Sequence, residues 1–259
     1  MNVSDHLHKP VKTLNGLELH YVGDFAVIVM DRGENRLNTD FLDCFNELMD
    51  DVERNSSCKG LITTGKGKFY GNGLDLKWIA GLKSPEMFHE FFVKISLWLK
   101  RILVFPLPTL AAINGHAYAG GALMAFAHDL RVQNKEKGWL CFNEVFISRQ
   151  FQPFHYLYIR TKIGQNYTEA IVLGKRYTGS EALSNGLVHA APSMSLLLSE
   201  SVQLLKSFCG KSGYPRESLH LMKCDVYRDV LEQHQRDMSG IGREKKETKI
   251  VANDVKSRL

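Results

Sequence analysis

A layered α/β fold is the architecture this sequence predicts. Three observations predict it. From about residue 15 to 190, short strand candidates alternate with helical stretches, in repeated strand–strand–helix units. Two glycine-rich segments, 71–76 and 115–121, each lie where an extended stretch gives way to a helical one. The chain has 259 residues, 44% hydrophobic and 24% charged, enough for one large core or a core with a small appendage.

The elements follow in order. Leu17–Tyr21 and Phe25–Met30 read as two strands split by Gly23-Asp24. A polar turn at 31–35 precedes a helix over about 40–52, with Thr39 as its cap and Phe41, Phe45 and Leu48 at helical spacing. Gly60–Thr63 is the next strand, and a loop at 65–76 leads to a helical region over about 85–104. Thr109–Ile113 is a strand, and a helix follows Gly120-Gly121. Leu130–Val132 and Trp139–Phe146 read as strands around a charged turn. Helices are expected near 165–173 and 179–185. From about Ser193 onward the signals are helical. The expected organisation is therefore a strand-and-helix core over 1–192 and a helical region over 193–259 serving subunit contact.

Composition excludes several function classes. The net charge of +5, from 33 Lys and Arg against 28 Asp and Glu, suits an anionic small ligand. It is too small and scattered for nucleic acid, and no zinc-finger or RNA-binding motif occurs. The five cysteines form no CxxC pair, and the histidines show no HExxH spacing, so no metal site is expected. GxSxG, GxGxxG and the P-loop signature are missing. The start, MNVSDHLHKPVKTL, lacks a signal peptide's apolar stretch. The longest apolar run, 102–113, is broken by Pro106, Pro108 and Thr109, so no membrane span is expected. The final Ser257-Arg258-Leu259 resembles the S-K-L address read by the peroxisomal import receptor.

Three segments can carry chemistry. Gly120-Gly121 opens a helix whose first N–H groups lack internal partners and carry partial positive charge. Those groups suit a developing oxyanion, and small residues also suit close packing; both readings stand. The segment Gly71–Leu76 offers a second N–H, from Leu74, or is simply a turn, with Asp75 as a cap. In the strand expected over 139–146, Leu140, Phe142, Glu144 and Phe146 share a face. A carboxyl on that apolar stripe is a proton-transfer candidate with a raised pKa, or it ends in solvent or pairs with Arg149.

Taken together, these segments resemble the crotonase, or enoyl-CoA hydratase/isomerase, superfamily. The resemblance rests on NRLN at 35–38, FYGNGLDL at 69–76, PTLAAING at 108–115, Gly120-Gly121 through Asp129-Leu130-Arg131, and Glu144. It implies a crotonase-like spiral of ββα units with C-terminal helices used in a homotrimer or a dimer of trimers. It implies an acyl-CoA substrate, coenzyme A entering as part of the thioester and no separate cofactor. The thioester carbonyl would lie between the N–H groups of Leu74 and Gly120. Asn35, Arg36, Leu37, Asn72, Gly73, Asp75, Leu76, Gly121 and Leu123 would line the substrate channel. Family hydratases carry two glutamates; one of those positions is Leu123 here, and the other is Glu144. A single glutamate resembles the Δ3,Δ2-enoyl-CoA isomerases, in which one carboxyl moves a proton from C2 to C4. The stretch after Glu144 is most like plant peroxisomal isomerases, which implies fatty-acid β-oxidation in that organelle.

Overall fold

The structure, a computed structural model, describes residue 7 and residues 9–239. The tripeptide 257–259 lies outside the described residues. Two sheets carry the fold. The larger contains β1 (Lys12–Leu14), β2 (Leu17–Val22), β3 (Phe25–Met30), β4 (Gly60–Gly65), β6 (Thr109–Ile113) and β8 (Leu130–Gln133), in that order. The smaller contains β5 (Phe69–Asn72), β7 (His116–Tyr118) and β9 (Leu140–Cys141). The β1–β2–β3 pairings are antiparallel, and every later pairing is parallel. Each consecutive pair β4/β5, β6/β7 and β8/β9 places its first strand in one sheet and its second in the other. That alternation is the ββα spiral.

The helices are set by local chemistry. In α1 (Thr39–Arg54) the cap is Asn38, not Thr39: the extended Asn38 backbone lets its side-chain oxygen accept the Phe41 N–H at 2.9 Å. Asp75 caps the short α2 (Leu76–Ala80) through the Trp78 N–H, as one reading of that residue expects. Ser84 and Pro85 start α3 (Pro85–Leu103). Gly120–Ala127 is α4, entirely buried. The strand expected over 139–146 stops at Cys141. The chain then turns through a 3-10 segment, Glu144–Ile147, closed by Ser148 in the left-handed region. The shared face is lost with it: Glu144 is 9% exposed and Phe146 62%.

Next comes α5 (Pro153–Ile163), which the sequence reading did not assign. The helix expected over 165–173 is a 3-10 turn, Gly164–Asn166, followed by a π turn, Thr168–Val172. After α6 (Gly179–Ser184) the chain is helical: α7 (Leu197–Cys209), α8 (Arg216–Val226) and α9 (Arg228–Met238). One core fills the space beneath α1, α3, α4 and α5. A second lies on the other face of the larger sheet, where Leu197, Leu198 and Leu205 of α7 cover Val27, Val29, Ile62 and Leu110. The expected boundary near 193 thus marks a change from strands to helices, while α7 completes the sheet's packing.

Candidate active site

The two predicted N–H donors lie close together. Leu37 and Leu74 form an isolated parallel bridge, with the Leu37 N–H donating to Gly73 O at 2.8 Å and the Asp75 N–H to Leu37 O at 2.9 Å. Those bonds use the groups on either side of the Leu74 N–H. A Cβ on Gly73 would come within 2.9 Å of Ala119 Cβ and 3.5 Å of Gly120 N. A Cβ on Gly120 would meet Leu37 Cδ1 at 2.9 Å and Gly73 Cα at 3.3 Å. The 71–76 loop and the start of α4 are therefore in contact through glycines. Among the described residues, neither the Leu74 nor the Gly120 N–H donates to a backbone carbonyl. Ala119 enters α4 with φ 50° and ψ −121°. A β-carbon in that region costs of order 1–3 kcal/mol, and such strain collects where function fixes the backbone. It sets the direction of the following Gly120 N–H.

Gly121 answers the other reading of the same pair. Its Cβ would lie 2.2 Å from Gly71 O, so it exists for close packing of α4 on β5. Asn35 is also structural. Its buried amide donates to Met30 O, Phe69 O and Tyr70 O, and its oxygen accepts the Arg32 N–H, tying the loop after β3 to β5. Arg36 bonds Glu34 and donates to Leu74 O at 3.1 Å, while Glu34 also accepts from the Asn72 amide. Asn38 links to Asp75 at 3.1 Å. The loop at 34–38 and the segment 72–75 are thus joined by hydrogen bonds into one rim. Leu76, next in sequence, is half exposed, whereas Leu123 is buried in the core.

Glu144 opens the 3-10 segment that follows β9. Burial pushes its carboxyl up to about 8, opposed only by a hydrogen bond from its own backbone. Its Oε2 and the neighbouring Asn143 Oδ1 are buried without hydrogen-bond partners. A buried carboxyl without a cationic partner stays protonated until well above the usual carboxylate range. Arg149 does not pair with the carboxyl; it bonds the Glu144 carbonyl through its backbone N–H at 2.9 Å. The Tyr158 hydroxyl, raised by burial and then by Glu144, donates to Leu123 O at 3.1 Å. Further along, the Ala119 N–H donates to Cys141 O at 3.1 Å, joining α4's entry to the strand that leads to Glu144. A cavity of about 700 Å³ opens beside Glu144, lined by Phe151, Ile171, Tyr156, Tyr167, Arg149 and Arg160 among others. Leu74 and Gly120 are not among its walls; α4 and its approach connect the two parts.

A profile of the enoyl-CoA hydratase/isomerase family matches residues 23–240. The chain belongs to the enoyl-CoA hydratase/isomerase family. A relative from Arabidopsis thaliana, described as enoyl-CoA delta isomerase 2, peroxisomal, is 33% identical over 175 residues, covering 64% of this chain and 72% of that protein. Among solved structures, the human mitochondrial delta3-delta2-enoyl-CoA isomerase superimposes with a TM-score of 0.80 at 19% identity, covering 94% of this chain and 96% of that one. A structure titled as an enoyl-CoA hydratase from Mycobacterium ulcerans gives 0.77 at 22% identity, covering 88% and 98%. Isomerase and hydratase share this fold, so the fold fixes the family and the side chains must decide the reaction.

Within this family fold, His128 is structural. His128 is wholly buried between Thr63 and the Met124 carbonyl, and burial holds it neutral, its pKa lowered to about 3. Among the described residues no group of three or more His, Cys, Asp or Glu could hold a metal. None of their helices is long and apolar enough to cross a membrane. Sequence reasoning missed Tyr158 and Ala119. An aromatic in an apolar helix reads as core, and an alanine carries no sign of a positive φ.

Proposed function

We propose that the protein is an isomerase that moves the double bond of a 3-enoyl-CoA to the 2-trans position. One observation carries the reading: Glu144 is a buried, unpaired carboxyl, and the segment 115–128, where a hydratase's second glutamate would stand, contains no acid. The Glu144 carboxylate takes a proton from C2. The C2–H electron pair then delocalises through the diene and thioester, and the charge collects on the thioester oxygen. The N–H groups of Leu74 and Gly120 stabilise that oxygen. Protonated Glu144 returns the proton at C4, and the C3=C4 bond becomes C2=C3. A group titrating near neutral pH suits both halves of the transfer. Hydration would need a second group to activate water; the apolar Leu123 supplies none. Coenzyme A enters as part of the substrate, and no resident cofactor takes part.

The companion proposals are β-oxidation as the setting, the peroxisome as the location and a trimeric assembly built on the C-terminal helices. The Arabidopsis relative's description supports the location. The test is turnover of 3-enoyl-CoA by wild type and Glu144→Gln, with 3-hydroxyacyl-CoA formation from 2-enoyl-CoA measured alongside. Loss of about a hundredfold or more in the variant is expected, the scale of a positioned acid–base group. Near wild-type turnover in the variant would remove Glu144 as the base. Rapid hydration by wild type would overturn the single-carboxyl mechanism.

A further inference from the structure

The cavity beside Glu144 has an uneven wall. Phe151 and Ile171, both nearly buried, give it an apolar flank, with Val145 and Val172 adding to it. Its volume of about 700 Å³ lies in the ordinary range for a small-ligand pocket. Arg149 and Arg160 also line the cavity. Among the described residues neither pairs with a carboxylate, and Arg160 instead lies over the Tyr167 ring at 4.9 Å.

A hydrocarbon tail gains nothing from two guanidinium groups and would hinder their solvation. An anion at the end of the tail would be matched by them, because the guanidinium fork fits a carboxylate in two-point geometry. The geometry points to a substrate class: acyl-CoA esters carrying a second carboxylate at the far (ω) end of the chain, held by Arg149 and Arg160. Arg160 is oriented for this by its stacking on Tyr167, and Tyr156 is fixed beside it by accepting the Phe151 N–H at 3.0 Å. This inference rests on the proposed site, with the acyl chain running past Glu144 into the cavity.

Two measurements test it. The first uses saturated acyl-CoA esters of equal length, one ending in methyl and one in carboxylate, in titration calorimetry with the full chain. It needs no turnover, so it stands even if the isomerase reading fails. The ω-carboxy ester is expected to bind about tenfold more tightly, the scale of a hydrogen bond to a charged group. The second is the ratio of kcat/KM for the matching 3-enoyl esters. In Arg149→Gln/Arg160→Gln both preferences are expected to fall to about one, and Arg149→Lys/Arg160→Lys should keep part of them. Equal binding of the two esters by wild type overturns the proposal. So does a preference that survives the double Gln variant.

Discussion

At the scale of one residue, Glu144, the proposed base, carries a cost in stability. The carboxyl titrates near 4.5 in an unfolded chain and near 8 in the folded one. Between those values the folded protein keeps a proton that the unfolded chain has released. Stability therefore falls as pH rises through that window, and the full penalty is in place above about 8. Glu144→Gln removes the titration. Its stability relative to wild type is expected to grow by up to about 3 kcal/mol between pH 6 and pH 9, read from urea unfolding at each pH. A gap that does not change with pH would show that Glu144 is not buried as described. The same titration predicts that kcat/KM rises with pH, reaches half its limit near pH 8 and levels off above it, since the free enzyme must hold Glu144 as the carboxylate. The raised pKa was legible in the sequence as an acid among apolar residues. The lack of a partner was not, because Arg149 sits five positions on and could have paired with it. The tight turn sends its backbone, not its guanidinium, to Glu144.

At the scale of an element, the start of α4 separates two functions in adjacent glycines. Gly121→Ala would drive a Cβ to 2.2 Å from a backbone oxygen of β5 and 2.5 Å from its carbon. Backbone cannot step aside as a side chain can, so a loss of about 3 kcal/mol or more is expected by urea unfolding, the upper range for overpacking. Gly120→Ala meets the movable end of Leu37 first and Gly73 Cα only at 3.3 Å. It should cost less stability and more activity, since it wedges apart the 71–76 loop and the start of α4, which carry the proposed N–H donors. A kcat loss of about tenfold or more is expected, below the full loss of one oxyanion donor. If Gly121→Ala cost less stability than Gly120→Ala, these assignments would be reversed. The glycine pair was legible in the sequence as two open readings. The packing reading is met at Gly121, the oxyanion reading at Gly120 belongs to the proposed function, and only the register of α4 over β5 separates the two residues. Helix periodicity was also readable, whereas β9 was not: a two-residue strand followed by a 3-10 turn leaves the same apolar alternation as a longer strand.

At the scale of the whole molecule, the C-terminal helices are fastened to the core by a buried charge cluster rather than by apolar contact alone. Lys223 of α8 is almost fully buried. It donates to Asp129 at 2.6 Å and to the carbonyls of Phe105 and Leu107 at 2.9 and 3.0 Å. Asp129 also accepts from the Thr109 N–H and hydroxyl, so β6, the end of α4 and α8 meet at one carboxylate. On α9, Asp237 accepts the Phe154 N–H at the start of α5, the helix that carries Tyr158 and Arg160. The helical region thereby braces the Glu144 side of the site. Removing one partner of a buried pair leaves the other charge without compensation, which typically costs 3–5 kcal/mol. Lys223→Ala is expected to lose about that much in urea, toward the lower end because Thr109 still bonds Asp129. The loss should appear in one transition followed by both circular dichroism and fluorescence, since α8 and the sheet share the cluster. Two separated transitions would show instead that the C-terminal helices unfold on their own and that the cluster does not join them to the core.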